Sequence, residues 1–163
     1  MAVSEFIEHL EYELRMLLGA DQMIKLCALK REIGNPVNYF KDSAYMHTRN
    51  LYNFFSNKRN DANVEDFIQY PFDVTVYNKW SDALHSHALH IKSDRVTPSN
   101  VVDGQHLNEQ VPNFVSDILR LWQDWIDATN SQTDKQVLVD ALARAQKEAQ
   151  DDYDSMNLRL TNV

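Results

Sequence analysis

The sequence predicts an all-α protein, an antiparallel bundle of four to five helices in a single domain spanning residues 1–163. Three observations carry this. Apolar residues recur every three or four positions almost throughout, the period of one helix face and not of a strand. Glycine occurs 3 times and proline 4 times in 163 residues, too few for the many turns of a β-sandwich. Residues that favour helix starts (Ser4, Pro36, Pro112) and a helix end (Gly34) stand where the periodic stretches begin and stop. A chain of this length buries enough surface to fold without a metal or a disulfide.

The first segment opens with Ser4 as N-cap, and Glu5 and Glu8 lie near the positive end of the helix dipole. Its stripe is Phe6, Leu10, Leu14, Leu17, Ile24 and Ala28. Gly19 and Asp21 interrupt it, which predicts either a kink or a second helix capped by Asp21. Gly34-Asn35-Pro36 ends the segment. A second helix, residues 36–55, places Phe40, Ala44, His47, Leu51 and Phe54 on one stripe. Tyr39, Tyr45 and Tyr52 fall off that stripe and are expected, with Met46, to cover the first helix or a second subunit.

Residues 56–63 read as a loop, and Pro71 prevents a long helix after it. A third helix is expected over residues 73–92, although Val74 to Tyr77 also has strand propensity. Trp80, Leu84, His87 and Ile91 share its apolar face. Residues 98–104 read as a long turn. A fourth helix starts near Pro112 with Phe114, Ile118, Leu121, Trp122 and Trp125 inward, the tryptophans as packing. A fifth starts near Asp134 with Leu138, Ala141, Leu142, Ala145 and Tyr153 on one side. Its polar later half, from Gln146 to Asp154, is expected to project or fray.

Charge and cysteine narrow the function classes. The chain has 16 Lys and Arg against 24 Asp and Glu, a net charge of −8, with 5 basic and 11 acidic residues in 96–163. Such a surface repels phosphate backbones and disfavours general nucleic-acid binding. Cys27 is the only cysteine, which excludes an intrachain disulfide and a cysteine zinc site. Its apolar neighbours predict a buried, inert thiol. Gly19, Gly34 and Gly104 stand too far apart for a phosphate-binding loop. No signal-peptide pattern and no long apolar run is present, so a cytoplasmic protein without membrane contact is expected.

The chemistry-bearing feature is the placement of histidines. His47 and His87 sit mid-stripe in apolar faces of the second and third helices. A buried imidazole without a partner costs about 1–3 kcal/mol, so each is expected to be hydrogen-bonded. Asn50 lies three residues after His47. His90 lies three after His87, Asp94 four after His90, and Arg95 one further on. His85 points to another side of its helix, and Arg49 points away from His47. The cluster His47, Asn50, His87, His90, Asp94 and Arg95 admits three readings: a satisfied structural network, a metal site, or an acid–base or RNA-contacting site. No Glu-x-x-His or His-Glu-x-x-His element supports the metal, and no metal or other cofactor is expected.

The stretch His47-Thr48-Arg49-Asn50-Leu51-Tyr52-Asn53-Phe54-Phe55 resembles a helix-2 signature of uncharacterised bacterial helical proteins. Glu65-Asp66-Phe67 is similar to their acidic-Phe loop element, and His90 to Arg95 to their later His-near-Arg helix end. The resemblance covers residues 35–96, and these proteins in turn resemble the HEPN class of α-helical domains. It implies a HEPN-like bundle, often dimeric, in a class that includes RNA-cleaving toxins, defence proteins and non-catalytic nucleotide-transferase partners. Catalytic members carry an arginine followed four to six residues later by a histidine, and no arginine here has a histidine at that spacing. The expectation is therefore a binding or interaction module, a homodimer, with a protein partner or an RNA or nucleotide ligand and a link to defence or toxin–antitoxin systems. The alternative is an RNase-like or metal-dependent hydrolase using the His/Asp/Arg cluster.

Overall fold

The structure is a computed structural model that describes residues 3–30, 37–56, 63–89 and 100–161. Among these residues are five helices, α1 (Val3–Leu29), α2 (Val37–Ser56), α3 (Thr75–Leu89), α4 (Val111–Ala128) and α5 (Gln132–Thr161). A two-stranded hairpin, β1 (Val101–Val102) and β2 (Gln105–His106), precedes α4. No helix of the described residues is long and apolar enough to cross a membrane.

The first segment is one unbroken helix of 27 residues, without the break expected at Gly19 and Asp21. A glycine inside a helix costs only about 1 kcal/mol relative to alanine. The helix recovers more by keeping Leu14 and Leu17 before the glycine and Met23 and Leu26 after it buried. Asp21 caps nothing: it is buried and accepts a bond from Lys25 Nζ, one turn on, at 2.6 Å. Cys27 is half-buried, not sealed as expected, and burial pushes its thiol above the ordinary value.

Helix α2 is buried on two sides because it packs against α1 and also against α3 and α4. Ala44, His47, Leu51 and Phe54 are inside as the periodicity requires, and Tyr45, Thr48, Tyr52 and Phe55 are inside as well. Tyr45 and Tyr52, expected to cover the first helix or a second subunit, instead meet Asn108 and the residues of α3 and α4. Both are fully buried, because each hydroxyl finds a carbonyl or carboxylate oxygen: Tyr45 donates to Asn108 Oδ1 at 3.0 Å and Tyr52 to Asp117 Oδ2 at 2.8 Å. Tyr39 and Met46 remain exposed.

Phe6 stacks on Phe54 while Glu13 meets His47, so α1 and α2 run antiparallel. Glu11 pairs with Arg144 and Arg15 with Glu148, so α1 and α5 run in the same direction. The later half of α5 belongs to the same helix. It stays helical to Thr161, held by Arg15 on Asp152, by Lys30 on Thr161 and by an alanine seam at 141, 145 and 149 that is fully buried.

The strand propensity at Val74 to Tyr77 is overridden by a cap. The Asp73 carboxylate accepts from the Thr75 hydroxyl at 2.6 Å and the Thr75 N–H at 3.0 Å, and these bonds hold its carboxyl below the usual range. Of the turn expected over 98–104, residues 98 and 99 lie outside the described residues, and the rest enters a hairpin that runs to His106. Asp103 and Gly104 take φ of 50° and 75°, the backbone of a two-residue loop that pairs Val102 with Gln105 and Val101 with His106. A single 3-10 turn at Val64–Asp66, closed by Asn63 N–H on the Asp66 carboxylate, delivers Phe67 to Phe6, Phe54 and Trp125. Trp80, Trp122 and Trp125 are all buried, and Trp122 Nε1 donates to the Leu138 carbonyl.

Candidate functional site

Two packed helices, α1 and α2, assemble a polar centre at their seam. Helix α2 points His47 inward between Ala44 and Leu51, where it is 2% exposed. Its Nδ1 lies 2.7 Å from Oε2 of Glu13 on α1. The same oxygen accepts from Asn50 Nδ2 at 3.1 Å, and the Asn50 carbonyl oxygen accepts from Arg49 Nη2 at 3.3 Å. The result is a relay Arg49–Asn50–Glu13–His47 across the α1–α2 seam. Tyr12, exposed at the rim, sets its ring edge-on to the imidazole at 5.9 Å.

Of the expected cluster, His47 and Asn50 come together, through a residue the sequence reading missed. Glu13 lies about 40° from Leu17 on a helical wheel, at the flank of the apolar stripe. A carboxylate in that position must be paired or desolvated at a cost, and that was the available signal. Arg49 does not point away from the centre: it is half-buried and joins the relay. His87 lies on α3 with its side chain outside the described residues, and His90, Asp94 and Arg95 lie outside them entirely.

A second polar set lies on the other side of α2. Tyr52 and Tyr77 stack at 5.1 Å. The Tyr77 hydroxyl donates to Asn53 Oδ1 at 2.7 Å and lies 3.1 Å from His85 Nε2. Asp117, which holds Tyr52, is itself gripped by Arg120, and Arg120 also reaches Asp124 and the Asp73 carbonyl. Burial first and Asp117 second push the Tyr52 phenol far above its ordinary value. Burial, then Asp42, does the same to Tyr45. These groups tie α2, α3 and α4 together. His85, which the sequence reading turned away from the centre, belongs to this set.

In chemical terms the first centre holds an imidazole in one orientation by a carboxylate, an arrangement seen in base–orienter pairs and in purely structural ones. Among the described residues no group of three or more His, Cys, Asp and Glu side chains is placed to hold a metal ion. Comparison of the chain with family models, curated proteins and solved structures finds no match.

Proposed function

We propose that this chain is a HEPN-like helical binding and interaction module, active as a homodimer in RNA- or nucleotide-linked defence or toxin–antitoxin systems. The observation that carries the reading is the burial of His47 at 2% exposure with Nδ1 committed to Glu13. A sealed imidazole stiffens a surface better than it shuttles protons, and beside it lie the exposed Tyr12 and Met46 and the half-buried Arg49. The missing Arg-to-His spacing argues in the same direction.

The alternative is an RNase-like or metal-dependent hydrolase, and the Glu13–His47 pair is what favours it. Incubation of the full chain with labelled single-stranded RNA, with and without divalent cation, separates the two. The module leaves the RNA intact under both conditions. Cleavage that disappears in His47→Ala replaces the module with the hydrolase. Light scattering is expected to return twice the 19.0 kDa chain mass, and a value of one chain mass removes the homodimer.

A further inference from the structure

Among the described residues no carboxylate pairs with Arg49. Its Nη2 meets only the neutral carbonyl of Asn50 at 3.3 Å, and Nε and Nη1 are buried with no hydrogen-bond partner among the described residues. The carboxylate next along the relay, Glu13, already serves His47 and Asn50 with one oxygen. A guanidinium has five donors and a fixed positive charge, and leaving buried donors unpaired is costly. Seven residues on, about 20° away around the helix, Ser56 Oγ is likewise buried without a partner. Among the described residues this face of α2 therefore carries unpaired polar groups at two levels.

We infer that Arg49 is the reception point for an oxyanion, a phosphate or carboxylate group carried by the ligand of this module. The inference rests on the binding-module reading above. A planar guanidinium pairs best with a group that offers two oxygens, which distinguishes oxyanions from halide. Arg49 is half-buried and not sealed, so rotation of its long side chain brings the unpaired donors to an incoming oxygen. Asn50 then holds the guanidinium plane while Glu13 and His47 hold Asn50.

Thermal unfolding of the full chain, titrated with inorganic phosphate, acetate or sodium chloride at matched ionic strength, tests this. The expected result is a saturable rise in midpoint with an oxyanion beyond that with chloride. Phosphate acting alone identifies the group as phosphate, and acetate acting alone as carboxylate. In Arg49→Gln the concentration giving half the effect rises by about tenfold or more, and Arg49→Lys falls between. A response no larger than that to chloride, or an unchanged response in Arg49→Gln, overturns the inference. If Arg49→Gln does not fold, the wild-type series and Arg49→Lys decide alone. RNA cleavage would defeat the module reading. Failure of the anion series alone leaves that reading in place and removes only the role of Arg49.

Discussion

The Glu13 carboxylate on α1 lies 2.7 Å from Nδ1 of His47 on α2, thirty-four residues later in the chain. This contact makes a polar centre at a seam that also carries the Phe6–Phe54 ring stack. Removing one partner leaves the other desolvated. His47→Ala is expected to destabilise the protein by about 1–4 kcal/mol, through the cavity and the loss of one of the two bonds to Glu13 Oε2. Chemical denaturation measures this, and a midpoint unchanged within error refutes the assignment. The double variant with Glu13→Gln should cost less than the sum of the two single changes, because both remove the same contact.

The Tyr52–Asp117 bond predicts both a loss and a pH dependence. Tyr52→Phe keeps the ring stack on Tyr77 but strands a carboxylate oxygen, for an expected loss of about 1–3 kcal/mol. The phenols of Tyr45 and Tyr52 titrate above the ordinary value in the folded chain. Their contribution is therefore whole below about pH 10, the ordinary tyrosine value, and falls at higher pH as the unfolded chain releases protons that the folded chain keeps. Thermal midpoints measured from pH 8 upward should decline past that point, and less steeply in the Tyr45→Phe, Tyr52→Phe double variant.

One substitution should act with opposite sign at two glycines. A Cβ at Gly19 meets nothing within 4 Å, and the residue sits mid-helix in α1. Gly19→Ala is expected to stabilise by about 0.5–1 kcal/mol. A Cβ at Gly104 also meets open space, but its φ of 75° is left-handed. Gly104→Ala is expected to destabilise by about 1–2 kcal/mol through the backbone alone. Equal signs in urea titration would show that one of these backbone assignments is wrong.

The α1–α5 seam should depend on its alanines more than on its ion pairs. Arg15 bridges Glu148 and Asp152, but all three side chains are more than a third exposed. Arg15→Gln is expected to cost under about 1 kcal/mol, and less in high salt. Ala149 is fully buried, and Ala149→Leu should cost about 1–3 kcal/mol by overpacking. A larger effect from the arginine, read by the same unfolding curves, would reverse this ranking.

Where a feature depended on spacing along one helix, the sequence was readable. The stripe Phe114, Ile118, Leu121, Trp122 and Trp125 is buried as its period required, and so is His47. Where a feature depended on a second element it was not. Periodicity gave α2 one buried face, but α3 and α4 cover another, which drew Tyr45 and Tyr52 inside. The polar tail of α5 looked unsupported because its partners, Arg15 and Lys30, lie more than a hundred residues earlier.

The hairpin at Asp103-Gly104 was legible in principle, since that dipeptide favours positive φ at both positions, but its strands are only two residues each. The candidate site divides in the same way. An imidazole in an apolar stripe announces that it needs a partner, because burial without one is costly. Local sequence offered Asn50, and the partner proved to be Glu13, with Asn50 on the same carboxylate oxygen.

By itself the sequence determined that the chain is helical, where its principal core faces lie and that a histidine is inside, because these follow from the 3.6-residue period and the cost of hydrating apolar surface. Only the tertiary structure decided which carboxylate meets that histidine, which tyrosines are buried and which arginine donors have no acceptor among the described residues. Those outcomes depend on the packing of helices distant in sequence, and no pattern within a single helix encodes them.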